Sequence, residues 1–362
     1  MPAAHGSNET IAAPQREAVH ASAPVPFVTG LNNPRGLKFG PDGNLYIAEG
    51  GIGSPGSAPV TSCPNGVVPF GIGPYRGSTT GSRILKVDRL GTVSTFLDNI
   101  PSSQTSDGSG AFVTGVADIA FIDHTLYAVL AGAGCSHGVP SIPNGVIRAN
   151  RDHSWTMIAD LSHFQQTHPV ANPEAEDFEP DGTWYSIIAV EDNLYTVEPN
   201  HGEIVKVTTK GKISRVIDVS ATQGHVVPTA LAYNDHFYVG NLGVFPQAAG
   251  TSKIWEISRK GGIKVEATGF NMVLGLAFDR RERMYVLEMT AACTGFAGFP
   301  NPGCGRVVRL SHDGKKRDLI ADGLFFPTGM TIGPDGSVYV SNVGFGLPPI
   351  GAGAVLKIEV LD

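Results

Sequence analysis

The chain has 362 residues, with 46 glycines, 26 prolines, 16% charged residues and a formal net charge of −7. The acidic balance and the lack of Lys/Arg runs exclude a nucleic-acid partner, because a phosphate backbone demands a basic face. No apolar run is long enough to span a membrane, and the Gly/Pro content suits many short strands joined by turns.

Residues 1–23 are polar and rich in Ala, Ser and Pro, without the apolar core of a signal peptide. They read as a disordered leader left where a signal sequence has been removed, or as the floppy start of a cytosolic protein. The folded domain is expected over residues 24–362.

Inside that domain a five-residue word recurs: apolar, Tyr, two small or apolar residues, then a variable one. It reads Leu45-Tyr46-Ile47-Ala48-Glu49, Leu126-Tyr127-Ala128-Val129-Leu130, Leu194-Tyr195-Thr196-Val197-Glu198, Phe237-Tyr238-Val239-Gly240-Asn241, Met284-Tyr285-Val286-Leu287-Glu288 and Val338-Tyr339-Val340-Ser341-Asn342. Six copies of a β-rich word signal a repeat fold. In the first repeat the inner strand is expected at Gly36-Leu37-Lys38-Phe39 and the turn at Pro41-Asp42-Gly43-Asn44. The Tyr46 word is the second strand, residues 83–88 the third and residues 93–97 the fourth. No fourth strand follows the last third strand at residues 354–358. Residues 26–31, leading into Asn33-Pro34-Arg35-Gly36, match residues 319–324 leading into Phe326-Pro327-Thr328-Gly329. The expected fold is therefore a single all-β domain: a six-bladed β-propeller of four-stranded blades, its ring closed by the N-terminal strand, with few exposed edges.

The long loops are expected on one face. They are the second-to-third connections 50–82, 131–144, 242–252, 289–305 and 343–353, and the blade-to-blade connections 99–115 and 161–183. All four cysteines lie in these loops and none has C-x-x-C spacing, so they read as two disulfides formed in an oxidising compartment. Proximity pairs Cys293 with Cys304, and elimination pairs Cys63 with Cys135. The protein is expected to be secreted or periplasmic, monomeric, and without a membrane span.

The fifth position of the word ends its strand on the same face. Glu49, Glu198, Asn241, Glu288 and Asn342 would converge there, beside Arg35, Ser186, Thr229 and Thr328 from the starts of the inner strands. Such oxygen donors suit Ca2+ or another divalent cation. The same residues also fit a hydrated channel in which Arg35 neutralises part of the acid. His137, His163, His168, His201 and His225 fall in loops of this face, and His201, following Glu198 closely, is the candidate proton carrier. The acidic run Glu174-Ala175-Glu176-Asp177-Phe178-Glu179-Pro180-Asp181 reads as a cation chelator or as a solvated loop. Phe70, Tyr75, Trp184, Phe245, Phe296, Phe299 and Phe345 are candidates for the wall of an apolar pocket. No serine-hydrolase elbow, phosphate loop or dinucleotide fingerprint is present.

Asn172-Pro173-Glu174 through Tyr185-Ser186, Val227-Pro228-Thr229-Ala230, Val239-Gly240-Asn241-Leu242, Phe245-Pro246 and Thr268-Gly269-Phe270 together resemble the ScyD/ScyE family. Its members are exported propeller proteins named after scytonemin pigment gene clusters. More distantly the chain is similar to NHL-like and SMP-30/gluconolactonase-like propellers. That wider likeness implies an axial Ca2+ held by Glu, Asn and Asp and serving lactone or ester hydrolysis; the catalytic candidates read from this chain itself are His201 and Arg35. The Glu-Gly-Pro word of that group is replaced here by Asn33-Pro34-Arg35-Gly36. Two functions follow: a small-molecule-binding propeller leaning toward a metal-assisted hydrolase or lyase, or a non-catalytic scaffold docking a partner through its loops.

Overall fold

The computed structural model describes residues 20–361 except 291–300, 312, 313, 315 and 346–349. Six antiparallel blades form a ring, and each takes its inner three strands from consecutive sequence. Blade 1 runs through Pro34–Phe39, Leu45–Glu49, Arg76–Val87 and Val93–Gln104. Blade 6 runs through Gly329–Ile332, Val338–Asn342 and Gly353–Ile358, and its outermost strand is the N-terminal Val25–Leu31. The ring is thus closed as expected, with Val28 opposite Val355.

The repeated Tyr is fixed at both ends. Its ring packs between blades: Tyr46 meets Phe96 and Phe121 edge-on at 5.1 and 5.0 Å. Its hydroxyl caps the preceding turn, as Tyr46 donates to Asp42 at 3.0 Å and Tyr339 to Asp335 at 3.1 Å. Gly43 and Gly336 hold positive φ in those turns (75° and 81°), where a side chain would be strained. The apolar core is therefore a set of inter-blade layers. Ile84, Leu97 and Ile100 of blade 1, for example, pack on Val116, Ile119 and Ala128 of blade 2.

Three expectations change. Blade 1 is taller than its sequence pattern suggests. Residues 76–82 and 98–104 continue the hairpin through bulges instead of forming loops, and Val113–Thr114 adds a fifth strand. The blade-2-to-3 connection carries a helix, Leu161–Thr167, capped by Asp160. His20–Ala21, placed in the leader by composition, pairs with Val360–Leu361.

Candidate functional site

Each fifth-position residue has partners of its own. Glu49 accepts from Asn32 N at 2.6 Å and from Arg83 Nε. Glu288 accepts from Asn271 N at 2.7 Å and Arg306 Nε at 2.6 Å. Glu198 accepts from Thr183 N at 2.7 Å and His201 N at 2.5 Å. Asn241 accepts from Lys253 N at 2.7 Å and donates to Val226 O at 2.8 Å. Asn342 accepts from Phe325 N at 2.8 Å. The motif is a brace that pins the incoming blade connection to the end of the second strand, and the apolar Leu130 makes blade 2 the exception. A cation here would have to strip buried carboxylates of donors already in place. Among the described residues, no three His, Cys, Asp or Glu side chains are grouped to hold a metal ion. This donor set does not fit Ca2+.

The acidic run is not simply a solvated loop: Glu174, Glu179 and Asp181 are buried, while Glu176 is exposed. The covering comes from two other loops, tied together by the Cys63–Cys135 disulfide. Tyr75, at the end of the blade-1 loop, donates to Glu179 Oε1 at 2.6 Å. His137, in the blade-2 loop, sets Nε2 3.3 Å from Glu179 Oε2, with its ring edge-on to Tyr75 at 4.7 Å. Asp181 accepts from Ser136 N and Oγ at 2.8 and 2.6 Å. His225 Nε2 lies 2.8 Å from Glu174 Oε2 but outside hydrogen-bond alignment.

Asp177 is the least satisfied member. Its Oδ1 is buried without a partner. Burial, then the carboxylates of Glu179, Glu174 and Glu198, push its pKa up to about 9, so it carries a proton at neutral pH. Burial opposes a charge on His137, but the bond to Glu179 outweighs it and the pKa rises. Burial, then Glu179 and Asp177, raise the Tyr75 phenol well above its ordinary value. A protonated carboxyl beside an imidazole–carboxylate pair is a proton-transfer assembly.

His201 belongs to this assembly as a support. It is buried, donates Nε2–H to the Glu179 carbonyl at 3.0 Å and packs on Phe178 at 5.0 Å. His163 and His168 sit on the exposed side of the connecting helix, outside the cluster. Arg35 donates Nη2–H to Val113 O at 3.2 Å, while its Nε is buried with no partner. Burial lowers its pKa, and the phenols of Tyr185 and Tyr75 act the other way. Arg35 therefore stands by the tyrosines and not by the braced carboxylates.

Beneath the cluster the axial channel narrows. Tyr185 spans it, donating to Thr328 O of blade 6 at 2.7 Å. Asp118 accepts from Ile119 N and Ile187 N at 2.8 and 2.9 Å. It fits only because Gly36 has no side chain: a Cβ there would meet Asp118 Oδ1 at 1.9 Å. The space left is about 30 Å³, room for a water molecule.

Of the candidate aromatics, Tyr75 and Trp184 are buried, Phe345 stacks on Phe112 at 4.4 Å and Phe70 is 98% exposed. Phe296, Phe299 and the Cys293–Cys304 pairing fall outside the described residues. Sequence reading missed Asp177, Glu179 and Tyr75 as a unit. The one available signal was the Cys63–Cys135 pairing, which brings their covering loops together.

No protein-family model matches the chain, and no curated protein matches it in sequence. Solved structures share its architecture. A gluconolactonase from Xanthomonas campestris is 10% identical, aligns over 95% of this chain and 90% of its own, and superposes with a TM-score of 0.54. A putative glucose dehydrogenase from Thermus thermophilus is 15% identical over 94% of this chain and all (100%) of its own, with a TM-score of 0.52. An aldose sugar dehydrogenase from Streptomyces coelicolor, solved with PQQ bound, is 14% identical over 95% and 98%, with a TM-score of 0.51. What this chain shares with them is the six-bladed propeller fold.

Proposed function

We propose that this propeller binds a small polar molecule on its loop-rich face and acts on it by acid–base chemistry, as a hydrolase or lyase. The observation that carries the reading is Asp177: a carboxyl with a buried, unpartnered oxygen, next to the Tyr75–Glu179–His137 relay, whose pKa burial and the carboxylates of Glu179, Glu174 and Glu198 push up to about 9. Asp177 would deliver the proton to a leaving oxygen, and Glu179 with His137 would take one up. Arg35 would orient the polar ligand from the side of Tyr75 and Tyr185. The metal-assisted version, with Ca2+ on the fifth-position residues, lacks a fitting donor set, so no step is assigned to a metal.

The lactonase-like architecture makes sugar lactones the first substrates to try. The Cys63–Cys135 disulfide supports an oxidising compartment, secreted or periplasmic, in line with the exported ScyD/ScyE proteins that its motifs resemble. Among the described residues no helix is long and apolar enough to cross a membrane. The test is lactone and ester hydrolysis followed by pH-stat, with Asp177→Asn compared at equal fold content. Turnover that falls at least about a hundredfold in the variant supports the reading; turnover unchanged in Asp177→Asn overturns it.

A second reading rests on Phe70, whose ring is 98% exposed on the longest loop. It favours a scaffold that docks a partner there. Loss of partner capture in Phe70→Ser, with Asp177→Asn unaffected, would select this reading.

A further inference from the structure

The opposite face of the ring holds a cavity that the loop-rich site does not use. It is an open bowl of about 410 Å³ at the other mouth of the channel, within the size range of small-molecule sites. Its origin lies in the repeat. On each inner strand one residue pairs directly across from the blade tyrosine: Lys38 with Tyr46, Ala120 with Tyr127, Ile188 with Tyr195, Ala232 with Tyr238, Ala277 with Tyr285 and Thr331 with Tyr339. All six line the bowl. Three are alanines, which leaves it wide, and only Lys38 is charged. Rings of Phe39, Phe121 and Phe278 complete the wall.

Lys38 is half-buried. Among the described residues its ammonium makes no ion pair or hydrogen bond. It acts at longer range on Asp118, whose oxygens are committed to two backbone N–H groups. The turns that follow these inner strands carry Asp123, Asp192 and Asp235, carry Asp42, Asp279 and Asp335 paired with Lys86, Arg283 and Lys357 at 2.8, 2.6 and 3.0 Å, and are flanked by Arg259 and Glu191. Arg259 bonds the Tyr233 hydroxyl at 2.9 Å and pairs with Glu191 at 3.0 Å, so these two offset each other. A bowl of mixed polarity, walled by alanine, aliphatic and aromatic side chains around the Lys38 ammonium, is complementary to an anion with an apolar tail. The closed channel at Asp118 and Tyr185 gives such a ligand a floor.

We infer that this bowl is a binding site for an amphipathic carboxylate, with the carboxylate on Lys38 and the tail along the aromatic and alanine wall. The site is independent of the loop-rich cluster on the other side of the channel.

Titration calorimetry with decanoate, 1-decanol and decyltrimethylammonium tests it on the intact chain. Decanoate should bind more tightly than decanol, and the cation least. Lys38→Met should weaken decanoate about tenfold, or ~1.4 kcal/mol, without weakening decanol, and Lys38→Arg should keep the preference for the anion. Ala277→Trp fills the bowl and should abolish both, with its fold checked by circular dichroism. Asp177→Asn should leave decanoate binding intact, which separates this site from the one proposed above. The inference fails if decanoate does not bind, binds no better than decanol, or binds equally to Lys38→Met. It fails too if binding survives Ala277→Trp and disappears in Asp177→Asn.

Discussion

Tyr75 donates its phenol hydroxyl to Glu179 at 2.6 Å across 104 residues of sequence, and both side chains are buried. The bond joins the blade-1 loop to the acidic segment between blades 2 and 3, so a surface-like string of acids becomes an interior. Tyr75→Phe keeps the ring against His137 but leaves Glu179 Oε1 without its donor. The expected cost is about 1–3 kcal/mol, read as a lower guanidinium midpoint at unchanged slope. A loss under about 0.5 kcal/mol would show that the carboxylate finds another donor and that the cluster is looser than its geometry implies.

The Cys63–Cys135 bridge closes a loop with a sequence separation of 72. Joining two loops this far apart restricts the unfolded chain, so Cys63→Ser/Cys135→Ser should lower stability by about 2–5 kcal/mol. The effect should also be local. Hydrogen exchange in residues 50–75 and 131–144 should rise before the blades open, because the bridge and Tyr75 anchor these loops to each other. Uniform protection in both forms would mean that packing alone holds them.

Stability should fall as pH rises. Asp177 has a folded pKa raised to about 9, so the native state binds its proton more tightly than the unfolded chain does. That contribution is complete below the unfolded carboxylate pKa and is lost progressively up to about pH 9. His137, also raised, adds a loss of the same sign as pH passes through its folded value. Asp177→Asn should flatten the decline and be the more stable protein at alkaline pH. Midpoints measured at several values between acid and alkaline pH decide the matter. An equal slope in the variant would remove Asp177 from the account.

Much of the fold could be read from the chain because it repeats. Tyr46 and its five counterparts mark the second strands, and the match between residues 26–31 and 319–324 gives the closure. The candidate site was less legible because its contacts are not periodic. Nothing near Glu179 announces that Tyr75 and His137 will cover it, so a run of acids looked solvated. The fifth position misled in the other direction. Regular carboxylates at strand ends suggest a convergent ring, yet Glu49, Glu198 and Glu288 point at the backbone of their own blade connections. Repetition there reports a shared structural need.

Glu288 offers the test of that last point. It is fully buried, accepts from Asn271 N at 2.7 Å and holds Arg306 Nε at 2.6 Å. Glu288→Ala removes these two bonds and a longer one from Asn271 Nδ2 at 3.3 Å, orphans a buried N–H and leaves a partly exposed guanidinium without this partner. Partial exposure of Arg306 softens the electrostatic part, so the expected loss is about 2–4 kcal/mol. Calcium should not replace this brace, because its oxygens already have donors. Millimolar Ca2+ or EDTA should therefore leave the melting temperature of the wild type unchanged. A cation that bound these oxygens in the native state would stabilise it by mass action, by about 2.7 kcal/mol at a hundred times its dissociation constant. A calcium-dependent rise of several degrees that vanishes in Glu288→Ala would thus show the braces opening to ligate metal. No rise, together with the predicted loss in Glu288→Ala, identifies the fifth residue as the clamp between one blade and the next.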